Sequence, residues 1–289
     1  MAFLGLAKNA GKTTALNSLA AASREAGDSL ILASIGRDGE ALDAVTMKPK
    51  PPVHVRRGDL VVTTDSLMKL SELKAAAELD LKIETPLGNA YIYRILTGSG
   101  TIVLAGVNHI SSMLRIKKET LKAADRFFID GAINRRSSGV PELADGVIIS
   151  TGAVLGRSCD EVIRRTDDEL GILSLPGLPS DLPEIIYHKG ALTRNIVIEL
   201  LKGLPPGRNN LTLAAEDSTK IFLPPMTRAR LANRGITLGV VHPLRILAIT
   251  VNPHNPSGPD LPAAEFKKAA SRAFAPVPVF NIIHSSEKT

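Results

Sequence analysis

Short apolar runs alternate with longer segments of mixed polarity along most of the chain. Residues 29–35 and 126–130 are apolar over most of their length, and they are too short for helices. Such runs are typical of strands buried on both faces of a parallel sheet. Residues 13–26 and 110–124 have the length and composition of helices. The alternation predicts an α/β fold, with a mostly parallel sheet and helices on both faces.

The remaining elements follow the same pattern. Further strands are expected at 2–6, 101–105, 146–150, 245–251 and 277–282. Further helices are expected at 65–79, 158–166, 192–201, 226–233 and 263–274. Ligands of such sheets bind at the carboxyl ends of the strands, so the loops that follow these strands are the first places to look for a site.

The pattern changes between residues 48 and 97. Several prolines near the start of this stretch exclude a helix there. Apolar runs at 53–55 and 60–63 flank an Arg-Arg-Gly-Asp turn and predict a hairpin, and runs at 81–84 and 90–96 predict a second one. We therefore expect an antiparallel insertion or sheet edge over 48–97.

The most specific motif is Gly-Leu-Ala-Lys-Asn-Ala-Gly-Lys-Thr-Thr at residues 5–14. A strand leads into it and a helix follows, which is the setting of a phosphate-binding P-loop. The backbone N–H groups of such a loop and the dipole of the helix attract phosphate. Lys12 is expected to reach the β- and γ-phosphates of ATP, and the Thr13 hydroxyl to ligate Mg²⁺. The residues expected to bind the nucleotide are Lys8, Asn9, Ala10, Gly11, Lys12, Thr13 and Thr14.

The spacing of this motif departs from the common one. Gly5 and Gly11 enclose five residues, whereas the common P-loop has four between its glycines. One interpretation is an ordinary loop in which Gly-Lys-Thr-Thr opens a helix by chance. The other is a variant P-loop.

Hydrolysis or phosphoryl transfer also needs acids that hold the metal. Asp130 ends an apolar strand and is expected to act as a Walker-B group on Mg²⁺; the alternative is that it caps the next turn. The 36–40 segment, Gly-Arg-Asp-Gly-Glu, follows the second strand. There Asp38 is a candidate for the metal or the attacking water, and Arg37 for stabilising transferred charge; the alternative is a solvated turn. Asp43 is a further candidate.

The catalytic residues predicted are thus Lys12, Asp38 and Asp130, and the metal ligands are Thr13, Asp38 and Asp130. Asn252 ends another predicted strand in Thr-Val-Asn-Pro. It is a candidate for reading an adenine edge, or a turn residue before proline. The Pro- and Gly-rich stretch 203–210 is the best candidate boundary. It predicts a nucleotide-binding domain over 1–203 and a small α/β extension or subdomain over 208–289.

Composition narrows the partners. The 289 residues are 44% hydrophobic but only 3% aromatic, and the formal net charge is +6. Because the lysines and arginines are dispersed and stacking aromatics are few, nucleic acid is not expected. An acidic protein partner or an anionic ligand fits the basic charge equally well. The single cysteine, Cys159, excludes an intrachain disulfide and suits a cytoplasmic protein. No apolar run is long enough for a membrane span, and neither a membrane span nor a signal peptide is expected.

Four segments together resemble one family. They are 5–14, Ser-Ile-Gly-Arg-Asp-Gly-Glu at 34–40, Gly-Asp-Leu-Val-Val-Thr-Thr at 58–64 and Ile-Asp-Gly-Ala at 129–132. They are similar to KamB, the smaller subunit of an inferred reactivase of lysine 5,6-aminomutase. The similarity runs from the P-loop to about residue 153, and Thr-Val-Asn-Pro extends it. Membership would imply a cytoplasmic P-loop protein that works with a MutS-related ATPase on an aminomutase dependent on adenosylcobalamin and pyridoxal phosphate.

More distantly, the chain resembles dethiobiotin synthetase and the MinD-type ATPases. Dethiobiotin synthetase has the same five-residue spacing in its P-loop, and Asp130 matches its metal-binding acid. Its lysine after the second strand is not matched; Arg37 stands near that place. MinD-type ATPases carry a second loop lysine four residues before the last glycine, whereas Lys8 is three before Gly11. Three functions stay open, namely a slow ATPase acting on a partner enzyme, an ATP-dependent ligase or kinase, and a non-catalytic binding module. A homodimer is also left open.

Overall fold

The computed structural model describes residues 1–35, 52–85, 87–120, 122–131, 141–178, 184–203 and 211–282. The strands of this part of the chain are β1 (Ala2–Gly5), β2 (Leu30–Ile35), β3 (Val53–Arg56), β4 (Leu60–Thr64), β5 (Ala75–Thr85), β6 (Gly88–Ile95), β7 (Ser99–Ile102), β8 (Gly106–Val107), β9 (Arg126–Gly131), β10 (Val147–Gly152), β11 (Ile185–His188), β12 (Leu192–Thr193), β13 (Leu211–Asp217), β14 (Ile221–Phe222), β15 (Ile236–His242), β16 (Ile246–Asn252) and β17 (Val279–Asn281).

The helices of the same ranges are α1 (Lys12–Glu25), α2 (Asp65–Leu70), α3 (Ile110–Thr120), α4 (Cys159–Leu173), α5 (Arg194–Lys202), α6 (Pro225–Asn233) and α7 (Ala263–Ala273). Among these, none is both long enough and apolar enough to cross a membrane.

A ten-stranded sheet forms the centre of the molecule, in the order β17-β16-β10-β1-β9-β2-β4-β6-β5, with β8 paired to β2. Every pairing from β17 to β4 is parallel, and only the pairings of β4 with β6 and of β6 with β5, at one edge, are antiparallel. The α/β fold with a mostly parallel sheet is therefore confirmed. Strand β1 lies at the middle, with Phe3 opposite Asp130 of β9 on one side and Gly5 opposite Ser150 of β10 on the other.

Alternate residues of the central strands enter two different cores, because successive side chains of a strand point to opposite faces. Phe3 and Leu32 pack with Leu16 of α1. Leu4 and Ile31 pack in the other core, which contains buried residues of α3, α4 and α7. Both sheet faces are thus covered by helices, which explains why the central strands are apolar without alternation.

Two sequence predictions near the antiparallel edge are wrong. The helix expected at 65–79 ends at Leu70, because Glu72 has a φ of 54° and turns the chain out of the helix. The following residues form β5, which pairs with β6. The runs at 53–55 and 60–63 do not form a hairpin, since β3 pairs with β7 whereas β4 lies between β2 and β6.

The turn between β3 and β4 directs these strands into separate sheets. Gly58 has a φ of 95°, and the buried Asp59 carboxylate accepts a hydrogen bond from the Arg56 N–H at 2.7 Å. The same carboxylate accepts from Arg24 Nη2 of α1 at 2.7 Å. Because both charged side chains are almost fully buried, this pair holds the turn against α1. The second predicted hairpin, at 81–84 and 90–96, is confirmed by the pairing of β5 with β6.

A second, smaller parallel sheet has the order β11-β13-β15, and β12 pairs in parallel with β14 beside it. Its core is separate and includes Val197 of α5, Leu213 of β13 and Leu231 of α6. The chain then returns to the large sheet with β16 and β17. The sequence boundary at 203–210 therefore does not coincide with a division between sheets, since β11 pairs across it with β13.

Candidate functional site

The loop that joins β1 to α1, residues 6–11, lies at the carboxyl edge of the large sheet. Asn9 has a φ of 62° and Gly11 a φ of 92°, so two residues adopt the left-handed conformation in one short loop. A Cβ atom on Gly11 would overlap Ile282 Cδ1 and lie 3.1 Å from Asn252 Cβ. Gly11 is therefore required for its backbone angles, and also because Asn252 at the end of β16 and Ile282 just after β17 approach it closely.

The N-terminus of α1 differs from those of several other helices. The Thr64, Ser158 and Thr193 side chains accept hydrogen bonds from first-turn amides of α2, α4 and α5. The N-cap of α1 is Gly11, which offers no side chain, and no described side chain takes its place. First-turn N–H groups without such an acceptor favour an anion at this end of the helix.

Lys12 and Asp130 meet beside this helix end. Because β9 is the neighbour of β1, Asp130 Oδ1 lies 2.6 Å from Lys12 Nζ, and both side chains are largely buried. Lys12 also donates a hydrogen bond to the carbonyl oxygen of Gly131. The ammonium group is thus held by two oxygens at the end of β9, in the position where a phosphate would compete for it.

The Asp130 carboxylate keeps unused capacity for a ligand. Its Oδ1 is shielded from solvent, and despite the short distance to Lys12 it accepts no hydrogen bond of ordinary geometry from the described residues. Ser34 at the end of β2 donates to the Asp130 carbonyl oxygen at 3.3 Å and anchors the strand end. A buried carboxylate oxygen paired only by charge is suited to a divalent cation, which binds through oxygen.

Residues at the end of β16 support the loop from the other side. Asn252 Nδ2 donates to the Asn9 carbonyl oxygen at 3.0 Å, and its Oδ1 accepts from the His254 N–H at 3.1 Å. Both ends of the Asn252 amide are therefore engaged within the protein. Of the two interpretations offered by the sequence, this geometry favours the one in which Asn252 stabilises the turn.

A histidine and an aspartate follow in the same loop. His254 Nδ1 lies 3.0 Å from Asp260 Oδ1, which also accepts from the Asn255 N–H at 2.8 Å. These two hydrogen bonds, that of Asn255 first, lower the pKa of the Asp260 carboxyl. An ionised Asp260 fixes the orientation of the His254 ring at the rim of the site.

Most of these groups line one cleft of about 330 Å³, which we call the β1–α1 cleft. Its lining residues are Ala7, Lys8, Asn9, Ala10, Gly11, Lys12, Thr13, Thr14, Ser34, Val53, Ile102, Val103, Leu104, Asp130, Asn252, His254 and Pro256. Every nucleotide-binding residue predicted from the sequence lies in it, together with Asp130. Asp38, Arg37 and Asp43 lie outside the described residues, so the structure does not place them.

Sequence reasoning missed three parts of the cleft. Of these three, Ser34 alone has a signal in the local sequence, because it is a hydroxyl residue near the carboxyl end of a buried strand. His254 lies in Asn-Pro-His-Asn-Pro, which indicated a turn only. The apolar wall formed by Val53 and residues 102–104 comes from β3, β7 and the chain after β7, and its role depends on tertiary packing.

The donor set fits Mg²⁺ held jointly with phosphate. Within the described ranges, no three His, Cys, Asp or Glu residues come together as a metal site. Mg²⁺ on a nucleotide, however, takes one or two protein oxygens and completes its shell with phosphate and water. Thr13 and Asp130 both line the cleft and offer those two oxygens.

Comparisons with protein-family models, with curated proteins and with solved structures each found no match to this chain. The resemblances drawn from its motifs therefore stay predictions.

Proposed function

We propose that the chain binds Mg-ATP in the β1–α1 cleft and hydrolyses it slowly, with residues 5–14 acting as a variant P-loop. The observation that carries this proposal is the position of Lys12. Its ammonium group lies against the Asp130 carboxylate at the uncapped end of α1. A lysine, a helix end without an acceptor and a carboxylate from the neighbouring strand together match the needs of a phosphate chain with its metal.

The layout of the cleft orients the ligand. Lys12 reaches the β9 side, so the terminal phosphate is expected there, near Ser34 of β2. The base is expected towards His254 and Pro256, which follow β16. Strands β16 and β2 are four positions apart in the sheet, about 19 Å at about 4.8 Å per strand. That span accommodates an extended nucleoside triphosphate.

Each residue then has a separate task. Lys12 exchanges its contact with Asp130 for one with the phosphates, and the loop amides and the first turn of α1 hold the phosphate oxygens. The freed Asp130 carboxylate and the Thr13 hydroxyl hold Mg²⁺. The metal, when bound, neutralises charge that develops on the phosphates. The His254 ring lies at the rim of the cleft, on the side expected for the base rather than for the terminal phosphate, which is consistent with slow hydrolysis.

By the resemblance of its motifs, we propose that this ATPase is a cytoplasmic accessory protein. Its partner would be a MutS-related ATPase or an aminomutase dependent on cobalamin and pyridoxal phosphate. The segment 36–40 is the proposed nucleotide-sensing switch, and it lies outside the described residues.

A ligase of dethiobiotin synthetase type is the second candidate. One observation favours it: Val53 and residues 102–104 give the same cleft an apolar wall that a phosphate chain does not need. Such a wall suits the carbon skeleton of a small carboxylic acid.

Titration calorimetry with Mg-ATP tests the proposal. Lys12→Ala is expected to weaken binding by about 2–4 kcal/mol, about 30- to 1,000-fold, because the phosphates lose their charged partner. Lys220→Ala is the matched control, since Lys220 also pairs with an acid, Glu216, but in the small sheet. Unchanged affinity in folded Lys12→Ala would overturn the proposal. ADP release in step with a product from a carboxylic acid would assign the ligase instead, and binding without any turnover would leave a binding module.

A further inference from the structure

A second depression lies between α5 and α6, away from the β1–α1 cleft. It has a volume of about 750 Å³ and shares no described lining residue with that cleft. We call it the α5–α6 groove. Its two helices start side by side because β12 and β14, which precede them, pair in parallel.

Each helix presents one stripe to the groove. On α5 the stripe contains Arg194, Val197, Ile198, Leu201 and Lys202, and on α6 and just after it Thr227, Arg230, Leu231 and Arg234. Spacings of three and four residues place each set on one helix face. Such a face normally packs against a core. Here the floor is apolar, the α5 stripe has a cation at each end, and the α6 stripe carries Arg230 and Arg234.

The cations are available for a partner. Arg194, Lys202 and Arg230 are exposed, and none of the three forms an ion pair within the described residues. Arg228 on the other side of α6 contrasts with them, since it pairs with Asp168 at 3.5 Å. Arg194 and Lys202 stand at opposite ends of α5, about 12 Å apart at about 1.5 Å per residue. Charge spread over this length fits an elongated anionic partner better than a single phosphate.

The groove also exposes apolar surface. Ile198 in the channel is 39% exposed, and Leu201 one turn further along α5 is half-buried. Val197 and Leu231 beneath them are buried and form a firm floor. None of the described lining residues is aromatic, which argues against stacked nucleic-acid bases. A channel between two helices is a shape that receives a third helix.

We propose that the α5–α6 groove binds an acidic amphipathic helix of a partner protein. The apolar face of that helix contacts Ile198 and Leu201, above the floor that Val197 and Leu231 form. Its Asp and Glu residues flank this face and pair with Arg194, Lys202 and Arg230. The proposal is independent of nucleotide binding, because the two sites have no residue in common.

Fluorescence anisotropy with a defined probe tests the groove. The probe is a labelled 14-residue helix with leucine at positions spaced three and four apart and glutamate at the flanks, titrated with the full chain. We expect binding that weakens as salt rises from low to moderate concentration. A scrambled peptide of the same composition keeps the charge but loses the apolar face, and it is expected to bind at least tenfold more weakly. A peptide with lysine for glutamate is expected not to bind.

Protein variants locate the binding. Arg194→Glu with Arg230→Glu is expected to weaken the probe at least tenfold, and Ile198→Asp should act in the same direction. Arg164→Glu with Arg272→Glu makes the same charge change on exposed parts of α4 and α7, and it should alter binding less than twofold. Circular dichroism verifies that each variant is folded, and Arg230→Gln is the milder second variant.

Four results would overturn the proposal. The first is equal binding of the designed and scrambled peptides, and the second is equal binding by the groove and control variants. The third is tighter binding of oligo-dT or anionic vesicles that the groove variants abolish, which would assign nucleic acid or membrane. The fourth is occupation by this protein itself, shown by a tenfold gain on replacing residues 204–210 with Gly-Ser, or by a dimer in light scattering that the groove variants dissociate.

Discussion

The loop after β1 in the large sheet and the ends of β12 and β13 at the small sheet differ in how their polar groups are hydrogen-bonded. At the large sheet, the N-cap of α1 is Gly11, which has no side chain, and the buried Oδ1 of Asp130 is paired with the Lys12 ammonium at 2.6 Å. At the small sheet, Thr193 caps α5 and Asp217 accepts from the Thr219 N–H at 2.8 Å. Thr193 and Asp217 thus accept hydrogen bonds from nearby backbone amides, whereas Gly11 gives the first turn of α1 no side-chain acceptor.

The acidic residues Glu216 and Asp130 also differ in their hydrogen-bond partners. Glu216 follows the buried part of β13 much as Asp130 follows that of β9, but Tyr187 and Lys220 both donate to its Oε2 at 3.2 Å. These partners, Lys220 first, lower the pKa of the Glu216 carboxyl. An acid at the end of a parallel strand is therefore not by itself a site. What distinguishes Asp130 is the adjoining helix end without a side-chain cap and its contact with Lys12, the first residue of that helix.

The glycine that shapes the β1–α1 loop gives the largest expected effect. Gly11→Ala should abolish Mg-ATP binding, at least 100-fold, because its Cβ would displace Ile282 and Asn252 as well as strain the backbone. Unfolding should become easier by about 1–3 kcal/mol. Gly27→Ala is the matched control, with a φ of 88° and nothing within 4 Å of the new Cβ. It should lose about 1 kcal/mol of stability and keep its affinity, measured by calorimetry and urea unfolding. Equal losses of affinity in the two variants would show that backbone strain, and not crowding around Gly11, lowers the nucleotide affinity.

Asp130→Asn should separate the contribution of the metal to nucleotide affinity from that of the phosphates. It removes the charge that competes for Lys12, so nucleotide without Mg²⁺ is expected to bind up to about tenfold more tightly, about 1.4 kcal/mol. The gain in affinity from Mg²⁺ and the turnover should both fall, because the metal loses its carboxylate. Glu216→Gln is the matching change in the small sheet. It should leave the affinity without Mg²⁺, the gain in affinity from Mg²⁺ and the turnover unaltered. Wild-type Mg²⁺ dependence in Asp130→Asn would exclude Asp130 as a metal ligand.

The caps of the small sheet should affect stability alone. Thr193→Ala removes the acceptor for the Ile196 N–H and is expected to cost about 1 kcal/mol in urea unfolding, without a change in nucleotide affinity. Thr193→Ser keeps a hydroxyl and should recover most of the loss. A change in nucleotide affinity in Thr193→Ala would mean that the two sheets are energetically coupled and do not act separately.

Cys159 at the start of α4 gives the smallest expected effect. Burial first, then the nearby Glu265 and Asp160 carboxylates, raise the pKa of its thiol. Less thiolate is then present at any pH below that pKa, so alkylation by iodoacetamide at pH 8 should be slower than for a free thiol and should rise with pH. Glu265→Gln should speed it slightly. Faster alkylation than that of a free thiol would show that this capped helix end attracts anions as α1 is proposed to do.

Local sequence was sufficient for the first strand, its loop and α1, because apolar runs, glycines and helix composition act over a few residues. Local sequence failed where contacts with residues distant along the chain determine the secondary structure. Residues 75–79 are rich in helix formers, yet pairing with β6 makes them strand. The strands at 185–188 and 211–217 were not predicted. Outer strands such as β11 alternate weakly, and their pairing partners lie far along the chain.

The sequence by itself determined that the chain is an α/β protein with a glycine-rich loop before a helix and an acid after a buried strand. Only the tertiary structure decided that these features meet, because Lys12 and Asp130 are 118 residues apart and touch solely through the pairing of β1 with β9. The same holds for the apolar wall of the β1–α1 cleft and for the α5–α6 groove. Distances within one element follow from local backbone geometry, whereas contacts between elements depend on strand order, which short-range patterns do not specify.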